Sequence, residues 1–261
     1  MTPKEAGKHA IPRGVLLIGH GTRDEVGTKQ FFDLSAQLQH CVGSLPVEAA
    51  LLEFQKPTIP EAWASLVSAG VQHIHVAPLL LFAAGHAKQD IPEVLAECQK
   101  NTPHVSFDQS RPISREPSLI DIVVQRISST LADNPLTQTT ALVMVGRGNR
   151  DPCAQADMRI LSELVNHRLE VSSTVTAFYA MAEPKLPAVL DQVAQTGRFD
   201  QIVVHPHLLF EGRLHQAITA QTEEAKTRHP KVQFTMSAYL GPDRLVAKAI
   251  AGRIAMLEES L

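Results

Sequence analysis

The stretch LLIGHGTRDE, Leu16 to Glu25, passes from an apolar run into a charged one through glycine, histidine, glycine. A buried strand of the type Val15-Leu16-Leu17-Ile18 ends in turn residues, and Gly19 and Gly21 supply the turn without an imidazole. His20 therefore needs its own explanation. The stretch is also written twice: Gly19-His20-Gly21-Thr22-Arg23-Asp24 returns 127 positions later as Gly146-Arg147-Gly148-Asn149-Arg150-Asp151. The same offset relates Ala50 to Ala177, Pro57 to Pro184, Gly70 to Gly197, Gly85 to Gly212, Phe107 to Phe234 and Arg126-Ile127 to Arg253-Ile254. Around APLLLF (Ala77 to Phe82) and HPHLLF (His205 to Phe210) it slips to 128 and then recovers, as a one-residue insertion and deletion in flanking loops would produce. One register held across half a chain marks a tandem duplication. The break falls near Asp133 to Pro135, which predicts domains at 13–133 and 134–261.

Each half alternates short β-type runs with helical patterns. In the first, strands are expected near Val15 to Ile18, Val47 to Leu52, His73 to Ala77 and Val105 to Phe107. Glu25 to Gln39 repeats apolar residues at helical spacing. Thr58 caps a helix containing Ile59, Trp63 and Leu66 that Gly70 ends, and Pro92 opens a third helix. Asp24 and Asp151 suit the caps of the helices after their loops. Strands joined by crossover helices run parallel, so each half reads as a small doubly wound α/β unit, a parallel sheet flanked by helices.

Composition narrows the partners. The 261 residues, 44% of them apolar, suffice for one large or two modest domains. A net charge of −3 shows none of the basic excess that neutralises a phosphate backbone, so a small molecule is expected in place of nucleic acid. Cys41, Cys98 and Cys153 lie far apart with no CxxC pair, which suits a reducing compartment, by default the cytoplasm. MTPKEAGKHAIPRG has no apolar core of a signal peptide, and residues 1 to about 12 read as a loose leader. The longest apolar run, Val76 to Ala84, falls short of the roughly 20 residues of a membrane span.

In a doubly wound sheet, ligands bind beyond the carboxyl ends of the strands, where the strand order reverses. Strand 1 ends at His20, strand 2 at Glu53 in ALLEFQKP, and strand 3 runs out through APLLLFAAGH to His86. If strand 1 lies between the other two, neighbouring ends are about 4.8 Å apart and the three side chains can meet. Two imidazoles and a carboxylate form a plausible divalent-metal or proton-transfer site. His73, His75 and His205 read as ordinary strand residues, while His207, at the strand mouth of the copy, is a candidate substrate contact.

GHGTRD, ALLEFQKPTIPEA and HVAPLLLFAAGHAKQDIPEVL together resemble the class II tetrapyrrole chelatases, the sirohydrochlorin ferrochelatase and cobaltochelatase group in its long, two-domain form. The similarity covers the chain after the leader. It implies two similar α/β domains facing each other across a cleft. It also implies insertion of a divalent metal, Fe2+ or Co2+, into sirohydrochlorin on the way to sirohaem or cobalamin. The family's two histidines and glutamate map onto His20, His86 and Glu53, as catalytic residues and metal ligands. The metal would be substrate, with no permanent cofactor, and no GxxxxGK[ST] motif is present to bind a nucleotide. In the second half the three positions become Arg147, Ala180 and Arg213. Arginine is neither ligand nor base, but it grips carboxylates in a bidentate fork, and sirohydrochlorin carries acetates and propionates around its rim. Arg147 and Arg213, with Arg23 in the loop after His20, are thus the expected substrate contacts. A chain that is its own pseudo-dimer is expected to be monomeric. The rival readings are a non-catalytic metal or tetrapyrrole carrier and a histidine-type phosphatase; the latter expects arginine directly before the histidine, where Gly19 stands.

Overall fold

A computed structural model describes residues 11–82, 89–131 and 139–259. The first half is β1 (Arg13–Gly19), α1 (Glu25–Cys41), β2 (Val47–Leu51), α2 (Ile59–Ser68), β3 (His73–Pro78), α3 (Ile91–Asn101), β4 (Ser106–Gln109) and α4 (Pro117–Thr130). The second repeats it as β5 (Thr140–Gly146), α5 (Pro152–Leu169), β6 (Ser173–Phe178), α6 (Leu186–Gln195), β7 (Gln201–Pro206), α7 (Arg213–Arg228), β8 (Gln233–Met236) and α8 (Arg244–Glu258). The two sheets have the orders β2-β1-β3-β4 and β6-β5-β7-β8, and every pairing is parallel. The apolar run before His20 is thus the central strand, buried from Gly14 to Gly19 because helices cover both faces of its sheet.

The helix boundaries follow from local chemistry. The Asp24 carboxylate accepts from the Gly27 N–H at 2.9 Å, and Asp151 caps α5 by accepting from the Cys153 N–H at the same distance. Thr58 caps α2, and Glu61 completes a capping box by reaching back to the Thr58 N–H at 2.8 Å. Trp63 is buried in that helix, its indole N–H donating to Thr102 Oγ1 at 2.9 Å. Among the described residues, no helix is long and apolar enough to cross a membrane.

The helices sort into layers. On the outer face of the first sheet, Leu16, Ile18 and Ile74 pack with Trp63 and Leu95 of α2 and α3. On that of the second, Val143 and Ile202 pack with Leu190 and Ile218 of α6 and α7. The inner faces share one core, in which Leu17, Leu38 and Ile122 join Leu142, Leu161 and Ile250. Within it α1 packs on α8, and α4 packs on both α5 and α8. The duplication exchanges α1 with α5 and α4 with α8, so these contacts obey an internal pseudo-dyad.

Polar contacts repeat it. Arg126 on α4 donates to Asp243 at 3.0 Å and to the Leu240 carbonyl at 2.8 Å. Its counterpart Arg253 on α8 meets Glu116 at 2.9 Å and donates to the Pro112 carbonyl at 3.0 Å.

Candidate functional site

The turn after β1 is built by backbone contact with the segment after β2. The Leu52 N–H donates to the Gly19 carbonyl at 2.9 Å and the Glu53 N–H to the His20 carbonyl at 3.0 Å. Gly21 sits at φ +92°, and a Cβ there would lie 2.1 Å from the Glu53 carbonyl oxygen. The copy repeats each feature: Tyr179 bonds Gly146, Ala180 bonds Arg147, and a Cβ on Gly148 (φ +89°) would lie 1.7 Å from the Ala180 oxygen. The second glycine of each pair is therefore fixed by a close backbone approach. That frees the intervening residue, His20 or Arg147, to vary with function.

Both turns open on one cavity of about 530 Å³ between the halves, within the ordinary range of small-molecule sites. From the first half it takes His20 and the segment Leu79 to Phe82; from the second it takes Arg147 to Arg150 and His207 to Leu209. Phe178, Met158 and Leu214 extend its apolar walls. A smaller cavity of about 140 Å³ shares His20, Leu79 and Leu209 with it and reaches Thr22 and Phe31. His20 thus stands at the junction of the two spaces. The Leu209–Glu211 segment is braced from the first half, since the Glu211 N–H donates to Gln30 Oε1 at 2.8 Å.

The residues singled out from sequence divide among these places. His20 is half-buried and lines both cavities. Glu53 adjoins it through backbone, but its side chain is exposed and is not among the described residues lining either cavity. His86 lies outside the described residues. Arg147 is exposed and lines the cavity as expected. Arg213, the first residue of α7, does not line it among the described residues, and neither does Arg23, whose guanidinium lies 4.8 Å over the Phe54 ring. Arg150 takes a place in the cavity wall that sequence reading did not give it. The offset of 127 pairs Arg150 with Arg23 and was the available signal.

His207 lines the cavity fully buried, and neither of its ring nitrogens has a hydrogen-bond partner among the described residues. Burial holds its pKa down at about 3, so the imidazole is neutral. Its ring centroid is 5.7 Å from that of Phe82 across the cavity wall. His205, two residues back on β7, is also depressed well below the usual histidine value, by burial first and then by His207 and Arg126. Its Nδ1 is satisfied by Ser237 Oγ at 2.7 Å.

The CbiX family model matches the chain twice, over residues 14–130 and 141–257. A sirohydrochlorin ferrochelatase of Priestia megaterium is 31% identical over 230 residues, 87% of this chain and 84% of the relative. A sirohydrochlorin cobaltochelatase of the same organism is 29% identical over 88% of this chain and 74% of its own. Among solved structures, SirB from Bacillus subtilis with Fe3+ aligns at a TM-score of 0.82 and 28% identity, over 95% of this chain and 97% of the other. The two family matches coincide with the two βα halves that face each other across the cavity, and the chain belongs to the CbiX family, with its family unit present twice.

Proposed function

We propose that the chain inserts a divalent metal, Fe2+ or Co2+, into sirohydrochlorin without ATP, as a step towards sirohaem or cobalamin. The observation that carries this reading is the cavity between the halves, where His20 on one side faces Arg147 and Arg150 on the other across apolar walls. Insertion needs three things: the dication sheds water, two pyrrole N–H protons leave as the metal binds, and the macrocycle is held against the metal. His20, with Glu53 and His86 as its partners, would take the metal and receive the protons, because a neutral imidazole does either near neutral pH. The apolar walls accept the flat ring. Arg147 and Arg150 would hold rim carboxylates in charge-assisted forks, and the unpartnered nitrogens of His207 would meet a polar group of the bound ring. The chemistry is then assigned to 13–133 and the grip on substrate to 134–261. Arg23 and Arg213 stand as second-rank contacts in this assignment. We further propose a cytoplasmic monomer, with no resident cofactor and no nucleic-acid partner. Relatives named for iron and for cobalt both match, so the metal is the open variable. Anaerobic incubation with sirohydrochlorin and each dication, following loss of the free-base absorption spectrum, tests the reading. Many equivalents converted per chain are expected; a single equivalent would mark a carrier, and none would overturn the activity.

A further inference from the structure

At the opposite edge of the first sheet, where β3 begins, two histidines and an aspartate converge. His73 Nε2 lies 3.1 Å from Asp108 Oδ2, and His75 Nδ1 lies 2.9 Å from Asp108 Oδ1. One ligand atom from each of the three residues falls within 4.8 Å of the other two. At about 3.3 Å per residue, His73 is roughly 20 Å along the strand from Leu79 in the cavity wall. The cluster is therefore separate from the proposed chelation site.

The hydrogen bonds around the cluster admit the tautomers that metal binding needs. Ser106 Oγ lies 2.7 Å from His73 Nδ1 and donates to the Gln72 carbonyl at 3.4 Å. The Gln72 carbonyl gives the Ser106 hydroxyl a second acceptor, so Ser106 can accept from His73 Nδ1–H and leave Nε2 as a lone pair when a cation stands between it and Asp108. On His75, Nδ1 donates to Asp108, which leaves Nε2 bare. That nitrogen is buried without a hydrogen-bond partner among the described residues, and Glu258 Oε1 of α8 stands 3.9 Å from it. A bare imidazole nitrogen of His75 thus faces the Glu258 carboxylate, which Arg13 also reaches at 3.5 Å.

We propose that His73 Nε2, His75 Nδ1 and Asp108 form a second site for a first-row transition dication, held on the protein and distinct from the metal that is inserted. When the ion binds, the His75 proton moves from Nδ1 to Nε2 and points at Glu258, giving a carboxylate–histidine–metal arrangement with Ser106 orienting the other ring. Two imidazoles favour zinc, cobalt, iron or nickel over magnesium or calcium. Glu258 comes from the last helix of the second half, so the ion ties that helix to the first half's sheet. The duplication supplies a control: the equivalent register positions hold Gln201, Val203 and Thr235, which cannot reproduce the site.

Equilibrium dialysis against Co2+, with visible absorption of the bound ion, tests this. The wild type is expected to hold one equivalent of cobalt more than Asp108→Asn or His73→Gln, both with sirohydrochlorin turnover retained. Glu258→Gln, in the last turn of α8 where folding is least at risk, should weaken that equivalent tenfold or more. Equal cobalt content and affinity across the wild type and the folded variants would overturn the proposal. Turnover lost in step with this cobalt would overturn it too, by making the ion part of the chelation site.

Discussion

At the scale of single residues, the duplication separates what the backbone demands from what the chemistry demands. Gly21 and Gly148 are both kept because a Cβ at either would penetrate a carbonyl oxygen, whereas Gly70, at φ +86°, meets nothing within 4 Å. Gly70→Ala should therefore cost only its left-handed strain, on the order of 1 kcal/mol, and leave turnover intact. Gly21→Ala should cost more than that and lower turnover, because relieving the clash displaces His20; thermal melts and steady-state kinetics on the pair check this. Between those glycines the residues differ in kind, and so should their variants. His20→Ala is expected to lower kcat by 100-fold or more while sirohydrochlorin still binds. Arg147→Ala and Arg150→Ala should chiefly raise KM, by about tenfold or more each, for the loss of a charge-assisted contact of about 1.5–3 kcal/mol. Arg213→Ala should change KM little, since Arg213 lies outside the described cavity wall. An Arg213 effect equal to that of Arg147 would restore it to the substrate set, and arginine variants as slow as His20→Ala would place the chemistry in both halves.

At the scale of elements, the residue that follows β7 is a buried imidazole without a hydrogen-bond partner among the described residues, and such a ring costs stability. His207 occupies the place that Leu79 holds in the first half, each N–H bonding the equivalent carbonyl of the central strand. Above pH about 6.5 its ring is neutral whether the chain is folded or not, and it adds no pH dependence. Between 6.5 and about 3 the unfolded chain takes up a proton that the folded one refuses. Stability then falls by about 1.4 kcal/mol per pH unit, and His205 acts in the same direction. His207→Leu should flatten that acid slope by about one proton and raise stability at pH 7 by about 1–3 kcal/mol, as an unpartnered buried ring is removed. Denaturant midpoints from pH 7 to 5 measure both, and an unchanged slope would mean that His207 is not what titrates. Parallel pairing was legible from sequence because crossover helices force it, whereas the central place of β1 was a condition that the sheet order β2-β1-β3-β4 fulfils. His73 and His75 read as ordinary strand residues because their meaning depends on Asp108 and Glu258, which only tertiary packing brings near. Arg150 escaped notice for a related reason: its side chain lines the cavity while the guanidinium of its counterpart Arg23 lies over Phe54, and no local signal distinguishes the two. An amphipathic pattern shows that a helix buries a face, but not that α1 buries it against the other half.

At the scale of the whole molecule, the question is whether the halves are joined units or one cooperative structure. The inner core draws on both, so separating them would expose the apolar faces of α1, α4, α5 and α8. The reciprocal arginines close the same interface at two pseudo-equivalent points: Arg126 with Asp243 and the Leu240 carbonyl, Arg253 with Glu116 and the Pro112 carbonyl. The Arg253 and Glu116 side chains are only 17% and 14% exposed, so truncating one strands the other's charge and a carbonyl in a poorly solvated place. Arg253→Ala is expected to cost about 2–4 kcal/mol, and Arg126→Ala a similar amount. The sequence supplies separate reporters for the two halves: Trp63, the sole tryptophan, lies in the first, and both tyrosines, Tyr179 and Tyr239, lie in the second. In urea, tryptophan fluorescence and tyrosine ultraviolet absorbance should trace one coincident transition in the wild type, and in each single variant a coincident transition at lower urea. A double variant should lose less than the sum of the singles, because both clamps resist the same separation and the second cannot hold what the first has released. Transitions that separate already in the wild type would show that each sheet folds by itself, with the shared core too weak to couple them. Additive losses would show that the two clamps act locally, on α4 and α8 individually, without bearing on the cleft that the halves enclose.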